Sequence, residues 1–423
     1  MQNAIATLTE RGLFDNMTSA DLAVAVNKPM TVYAGFDPTS SSLQVGNFVT
    51  IMGLAHFQRC GHPVIALVGG ATGMIGDPSG KSSERKLLSP EQVEQNIVGI
   101  RENLSRFLDF DDLAAPARIV NNNDWMKNFT FVDFLREVGK HFRMSAMLNR
   151  ESVRARLDSE NGMSYAEFSY QLLQAFDFLH LYDTHNCRLQ IGGSDQWGNI
   201  TAGTDLVRRL RGVECYGLTF PILCDSNGQK FGKSEGNAVY LDERRTSCYD
   251  FYQFFLRTAD ADVIHYLKIL TFVPIDEIAA IEVSMRAEPE RRAAQNKLAE
   301  ELTRTVHGQA GLDKARRASE VLFGGSLDGL QATDLLAVFA NVPSVELPHA
   351  AIAPVPVVDL ALAAGLCKSK GEVRRLIEQG GLYINNRKIA GLDARTTDAD
   401  VIDGRVLVFR SGKKNFLLVK MAG

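Results

Sequence analysis

Pro63-Val-Ile-Ala-Leu-Val-Gly69 is a run with no polar side chain, and it leads straight into Gly70-Ala71-Thr72-Gly73. A strand with one wet face alternates apolar and polar residues, so a continuous apolar run of this length fits a strand covered on both faces. Thr31-Val-Tyr-Ala-Gly35 and Arg188-Leu-Gln-Ile-Gly-Gly193 end in glycine in the same way. Stretches of helical length separate the three. This alternation predicts an α/β chain with a Rossmann-like, doubly wound parallel sheet whose site lies at the strand C-terminal ends.

At 423 residues the chain exceeds one ordinary domain. After about Lys230 the pattern turns helical, with periodic apolar positions over Tyr249–Leu256, Ala261–Leu270, Ile275–Ala287 and Arg291–Val306. Gly324-Gly325 and the proline-containing stretch from Pro343 to Pro356 lead into a last unit. There, Ser369-Lys-Gly-Glu372 has the spacing of a capping box, and short strands follow at Leu382–Asn385, Arg405–Phe409 and Phe416–Val419. The expected organisation is a Rossmann-like domain over 1–225, an α-helical domain over 226–330, a linker over 331–356 and a small α+β domain over 357–423.

The net charge of −4 conceals an asymmetry: from Val355 onward twelve Lys/Arg stand against seven Asp/Glu, so the tail is basic and the rest acidic. That distribution suggests a polyanion held locally. No run approaches the ~18 apolar residues of a membrane helix. The N-terminus lacks a basic stretch followed by an apolar core. Six scattered cysteines with no CxxC pair suggest neither a zinc site nor a disulfide framework. A reduced cytoplasm is the expected location.

Lys230-Phe231-Gly232-Lys233-Ser234 sits in a polar, glycine-flanked segment. Two ammonium groups three residues apart can converge on one triphosphate, where phosphoryl and adenylyl transfers need positive charge. Alone, such a segment is usually a solvated turn. Gly76-Asp-Pro-Ser-Gly80-Lys81-Ser82 nearly forms a P-loop, but only three residues separate its glycines where four are needed, and the proline removes a backbone donor. A third signal is the helix opened by Ser164-Tyr-Ala-Glu167, which has a second capping-box spacing. Tyr170, Gln174 and Asp177 share one face of it among apolar neighbours, and buried polar groups of this kind need a protein or ligand partner.

Taken together, Gly35-Phe-Asp37-Pro-Thr39 with Leu43-Gln-Val-Gly-Asn47, Gly69 to Lys81, Ile191 to Trp197 and the lysine loop resemble the tyrosyl-tRNA synthetases of the class I aminoacyl-tRNA synthetases. The resemblance runs from Arg11 to the C-terminus. It implies ATP-dependent activation of L-tyrosine, transfer to the 3′ end of tRNA(Tyr), a homodimer, magnesium accompanying ATP, and no tightly bound cofactor. It implies that Asp177 and Tyr33 meet the substrate phenol, that Tyr170, Gln174 and Asp77 bind its ammonium, and that Asn122 and Gln196 support them. Gly35, Asp37, Gly46, Gly193, Asp195, Lys233 and Ser234 would contact ATP. The C-terminal unit resembles a ribosomal-protein-like (S-four-type) RNA-binding module, with Lys368, Lys370, Arg374 and Arg375 around one helix and Arg387 and Lys388 in a turn after a strand.

The chain departs from the class at one place. The "HIGH" signature reads Gln44-Val45-Gly46-Asn47. Both replacements keep an N–H donor. Because the family reaction is direct attack of a carboxylate on the α-phosphate, no imidazole base is required. Phosphate binding would lean on Thr39, Gln44, Asn47, Lys81, Arg85, Lys230 and Lys233. The alternative is a catalytically weakened paralogue or an RNA-binding regulator.

Overall fold

The computed structural model describes residues 2–79, 88–157, 162–231, 238–322, 324–327, 330–339, 342–412 and 415–422. Two compact units emerge, 1–308 and 309–423. The division falls at Gly308, whose φ of 71° and ψ of 179° interrupt the helical stretch Ala293–Leu322.

The first unit is built on a six-stranded sheet. Its strands are β1 (Asn16–Met17), β2 (Thr31–Phe36), β3 (Val64–Val68), β4 (Ala117–Asn121), β5 (Cys187–Gly193) and β6 (Tyr216–Phe220), in the spatial order β1-β6-β5-β2-β3-β4. All pairings are parallel except β1 with β6. The three apolar runs are β2, β3 and β5, and every residue of β3 is buried. From β2 the chain moves outward to β3 and β4, then returns to lay β5 on the other side of β2. The order therefore reverses between β2 and β5, and a crevice opens at their C-terminal ends, where doubly wound sheets bind ligands.

The helix Tyr165–His185 fixes one wall. Ser164 caps it by accepting from Glu167 N at 3.3 Å, and Asn186, at φ 48°, ends it in the left-handed conformation. The expected reciprocal half of this capping box does not form. Glu167 is buried, and its carboxylate pairs with the equally buried Arg156 at 2.9 Å, a stronger claim on it than one backbone N–H. Phe178 of this helix, fully buried, meets the edge of the Tyr33 ring at 5.2 Å. The helices Cys248–Leu256, Asp260–Leu270 and Ile275–Ala287 belong to the same compact unit as the sheet.

In the second unit, residues 331–356, expected as a linker, contain the helix Ala332–Val338 and strand β7 (Ser344–Leu347). The remaining strands are β8 (Leu382–Ile384), β9 (Arg387–Lys388), β10 (Val406–Ser411) and β11 (Asn415–Met421), in the order β7-β11-β10-β8-β9. The β7 strand escapes a reading of periodicity because it is short and lies on the sheet edge, pairing in parallel with β11.

Candidate active site

A cleft of about 450 Å³ opens at the ends of β2 and β5. Its lining includes Tyr33, Gly35, Asp37, Thr39, Gln44, Gly46, Asn47, Asp77, Tyr170, Gln174, Asp177, Gly193, Asp195, Gln196 and Lys230, all anticipated from sequence. A Cβ added to Gly35 would meet nothing within 4 Å, so glycine there leaves the cleft floor open. A Cβ on Gly69 would collide with the Asp37 carboxylate. The glycines after β3 are thus required for the turn to pass close behind the site.

One end of the cleft is dry and already organised. Asp177 is 2% exposed; its Oδ2 accepts from Asn122 Nδ2 at 3.0 Å and its Oδ1 from Trp125 Nε1 at 2.8 Å. Burial drives its carboxyl up to about 7, against the opposing pull of those two hydrogen bonds. Asn122 is itself fixed: its Oδ1 accepts from Ala71 N, and its Nδ2 also reaches Thr72 Oγ1 at 3.0 Å. The Trp125 indole stacks on the His180 ring with centroids 4.3 Å apart. The Tyr33 hydroxyl is buried with no partner among the described residues, and so is Gln190 Oε1. Burial, and then the charge of Asp177, holds the Tyr33 phenol well above its ordinary pKa, so it is a neutral donor. An unsatisfied hydroxyl beside a buried carboxylate calls for a ligand that supplies its partner.

Next to this end lies a second polar net. Gln196 Nε2 donates to Asp77 Oδ2 at 2.6 Å, and Gln174 Nε2 to Gln196 Oε1 at 3.3 Å. Asn199 Nδ2 reaches Gln174 Oε1 at 3.1 Å and Ser79 Oγ at 3.2 Å. The Tyr170 hydroxyl donates to Asp37 Oδ2 at 2.9 Å, while Thr72 Oγ1 donates to Asp37 Oδ1 at 3.0 Å. Asp37, expected at the nucleotide, is therefore also bonded to Tyr170, which was expected at the amino acid. This net offers carboxylate, carbonyl and hydroxyl oxygens, which suit an ammonium group.

The opposite end is open. Asn47 Oδ1 accepts from Gln44 N at 3.0 Å, which leaves the Asn47 amide nitrogen available as a donor. The lysine loop is anchored at both ends. Before it, residues 223–231 form a hairpin: Asp225 N donates to Gln229 O and Phe231 N to Leu223 O, both at 2.9 Å. The Phe231 ring packs 4.8 Å from Tyr266. After it, Val45 N donates to Val239 O and Leu241 N to Leu43 O, so the chain leaving the loop pairs with the Gln44 turn. Lys230, exposed, stands at the cleft mouth. Lys81, Arg85, Lys233 and Ser234 lie outside the described residues.

Known proteins match this chain along its length. Residues 25–324 match the family described as tRNA synthetases class I (W and Y), and 334–419 match the tyrosine–tRNA ligase SYY-like C-terminal domain. The tyrosine–tRNA ligase of Opitutus terrae is 51% identical over 417 residues, covering 97% of this chain and 98% of that protein. The chain belongs to the tyrosine–tRNA ligases of class I. The ligase of Protochlamydia amoebophila is 49% identical, covering 100% of this chain and 99% of its own. Among solved structures, a C-terminally truncated mitochondrial tyrosyl-tRNA synthetase from Aspergillus nidulans superimposes with a TM-score of 0.69 at 32% identity, over 76% of this chain and 95% of that one.

In the second unit all six anticipated cationic residues are exposed: Lys368, Lys370, Arg374, Arg375, Arg387 and Lys388. Ser369 caps the helix Lys370–Glu378, and Glu372 accepts from Lys368 N. Lys370 pairs with Asp359 at 2.7 Å. Arg387 and Lys388 are not in a turn, as expected, but form β9 after the tight turn Asn385-Asn386, whose φ values of 49° and 61° suit a two-residue hairpin.

Sequence reasoning missed Trp125, Thr72, Gln190 and Asn199. Trp125 and Thr72 follow β4 and β3 in the four-residue helices Asn123–Met126 and Thr72–Ile75, too short to show a periodicity. Gln190, a polar residue inside a buried strand, was the one detectable signal.

Proposed function

We propose that this cleft carries out the family's reaction on L-tyrosine, with the ammonium-binding net and the phenol end as the amino-acid site and the Gln44 turn with the lysine loop as the nucleotide site. As a tyrosine–tRNA ligase the chain is an enzyme whose substrates are tyrosine, ATP and tRNA. The supporting observation is the unpartnered, buried Tyr33 hydroxyl beside Asp177. A bound phenol would donate to Asp177 and accept from Tyr33. A phenylalanine ring would leave the Tyr33 hydroxyl unsatisfied and bring Asp177 no further donor, a penalty of about 1–3 kcal/mol for the buried hydroxyl.

The tyrosine ammonium would sit among Asp77, Tyr170 and Gln174, with Gln196 and Asn122 holding those groups and Asp177 in place. Its carboxylate oxygen forms a bond to the α-phosphorus of ATP as the bond to the β-phosphate oxygen breaks, releasing pyrophosphate. The terminal tRNA hydroxyl then attacks the activated carbonyl and AMP leaves. No side chain takes a proton in the first step, so Gln44 and Asn47 need only donate hydrogen bonds, alongside Thr39, Lys81, Arg85, Lys230 and Lys233. Gly35, Asp37, Gly46, Gly193, Asp195 and Ser234 would line the nucleotide. ATP enters as its magnesium complex.

We infer that Lys368, Lys370, Arg374, Arg375, Arg387 and Lys388 contact tRNA phosphates, which salt-dependent binding would register. We infer a homodimer as well. Phe131, Val132, Met144 and Tyr165 are all more than half exposed within one stretch of the chain, an unusual concentration for a free surface. Sedimentation of the purified protein tests this. Among the described residues no helix is long and apolar enough to cross a membrane.

The deciding experiment is tyrosine-dependent ATP–pyrophosphate exchange, beside the Gln44→His/Asn47→His double variant. Exchange with tyrosine and not with phenylalanine supports the assignment. Tyrosine binding without exchange refutes it.

A further inference from the structure

Away from the cleft, Glu243, Cys248 and His307 bring a carboxylate oxygen, a thiol sulfur and an imidazole nitrogen to within 4.8 Å of one another. Glu243 and Cys248 lie five residues apart, and His307 comes from much further along the first unit. Glu243 follows the segment that leaves the lysine loop, Cys248 opens the helix Cys248–Leu256, and His307 directly precedes Gly308. Cys248 is buried, His307 half-buried and Glu243 exposed. Cys248 Sγ lies 3.3 Å from Glu243 Oε2. The His307 ring stands edge-on against Phe251, at 4.8 Å and 90°. Phe251 is one turn beyond Cys248, so the helix face that presents the sulfur also braces the imidazole.

We propose that Glu243, Cys248 and His307 form a zinc-class metal site that fastens the chain leaving the lysine loop to the helices behind it. One sulfur, one nitrogen and one oxygen ligand suit zinc, leaving a fourth position for water. Zinc bonds of about 2.0–2.3 Å give tetrahedral edges of about 3.3–3.7 Å. The sulfur–oxygen pair, at 3.3 Å, already meets that spacing, and no pair exceeds that range by more than ~1 Å. Cys248 also occupies the first turn of a helix capped by Ser247, which fixes the position of its sulfur. On binding, the sulfur–metal bond replaces the thiol S–H, and the proton goes to solvent. No CxxC spacing announces the site because the fold, not the sequence, brings its ligands together.

Its position gives it a purpose. Val239 to Leu241 pair with the Gln44 turn, and Asp242 N donates to Ser42 Oγ at 3.1 Å. Glu243 comes immediately after. A metal there would hold one base of the lysine loop while leaving the substrate cleft untouched.

Titrating the reduced full-length protein with Co²⁺ tests the site directly. A thiolate-to-cobalt charge-transfer band should saturate at about one equivalent and be displaced by Zn²⁺. Cys248→Ser should abolish the band, and His307→Gln and the exposed Glu243→Gln should each weaken binding by about tenfold or more. No band in the wild-type protein overturns the proposal, whatever the variants do. A band that persists in Cys248→Ser, or an affinity unmoved by Glu243→Gln, overturns it equally.

Discussion

The two ends of the cleft are built on opposite principles. The end proposed for the amino acid is dry: Asp177, Tyr33 and Asn122 are almost fully buried, and Trp125 and Asn122 already hold the Asp177 carboxylate. The end proposed for the nucleotide is wet, made of glycines, a turn and the exposed Lys230. Recognition of one uncharged hydroxyl needs buried, preset partners, because a misplaced polar atom in a dry site is penalised in full. A triphosphate carries its own charge and is held by converging cations that must also release pyrophosphate. On the proposed assignment, specificity and catalysis reside in different materials within one crevice.

The largest effect should come from breaking the wet end alone. Lys233→Ala is expected to lower pyrophosphate exchange by about 10²–10³-fold, in the range of losing one transition-state donor. Equilibrium dialysis with labelled tyrosine should show amino-acid binding unchanged. Breaking the dry end should do the converse. Asp177→Asn removes the charged acceptor and should weaken tyrosine by about 1.5–3 kcal/mol. Phenylalanine should be affected far less, so the ratio of kcat/KM values for the two amino acids collapses.

How much of this division was legible in sequence follows from the same contrast. Tyr170, Gln174 and Asp177 repeat at helical spacing, so their shared face could be read, as could the glycine turns after β2, β3 and β5. Trp125 could not. It lies in the short helix Asn123–Met126, and only the β3–β4 pairing brings it to Asp177, 52 residues away in sequence. The edge strand β7 escaped because it is only four residues long and is paired on one side alone, with β11. Glu167 misled because its capping-box spacing was real but Arg156 claims its carboxylate.

Two smaller effects sharpen the comparison. Trp125→Phe removes one donor from Asp177, which should cost tyrosine affinity about 1 kcal/mol. It should also move the pH dependence of tyrosine binding to higher pH, because a hydrogen bond that lowers the carboxyl is lost. Tyr33→Phe should weaken tyrosine by about 0.5–1.5 kcal/mol. It should also raise the unfolding midpoint of the empty protein slightly, because it deletes a buried hydroxyl that has no partner there.

The direction of the pH effect follows from Asp177. Its carboxyl is raised from 3.8 to about 7 in the fold, so burying the ionised form works against folding. Stability from this group is fullest at low pH and is lost as pH rises from about 4 to about 7. Ligand binding runs the other way, because the phenol proton needs the carboxylate as its acceptor.

The most direct test is therefore the binding of tyrosine to the wild-type protein without ATP, followed by calorimetry across pH. A preformed amino-acid end predicts that tyrosine binds alone, that phenylalanine does not compete, and that affinity falls as pH drops below about 7. If tyrosine binds only once ATP is present, or phenylalanine competes equally, the amino-acid end is not preset and the division between the two ends of the cleft fails.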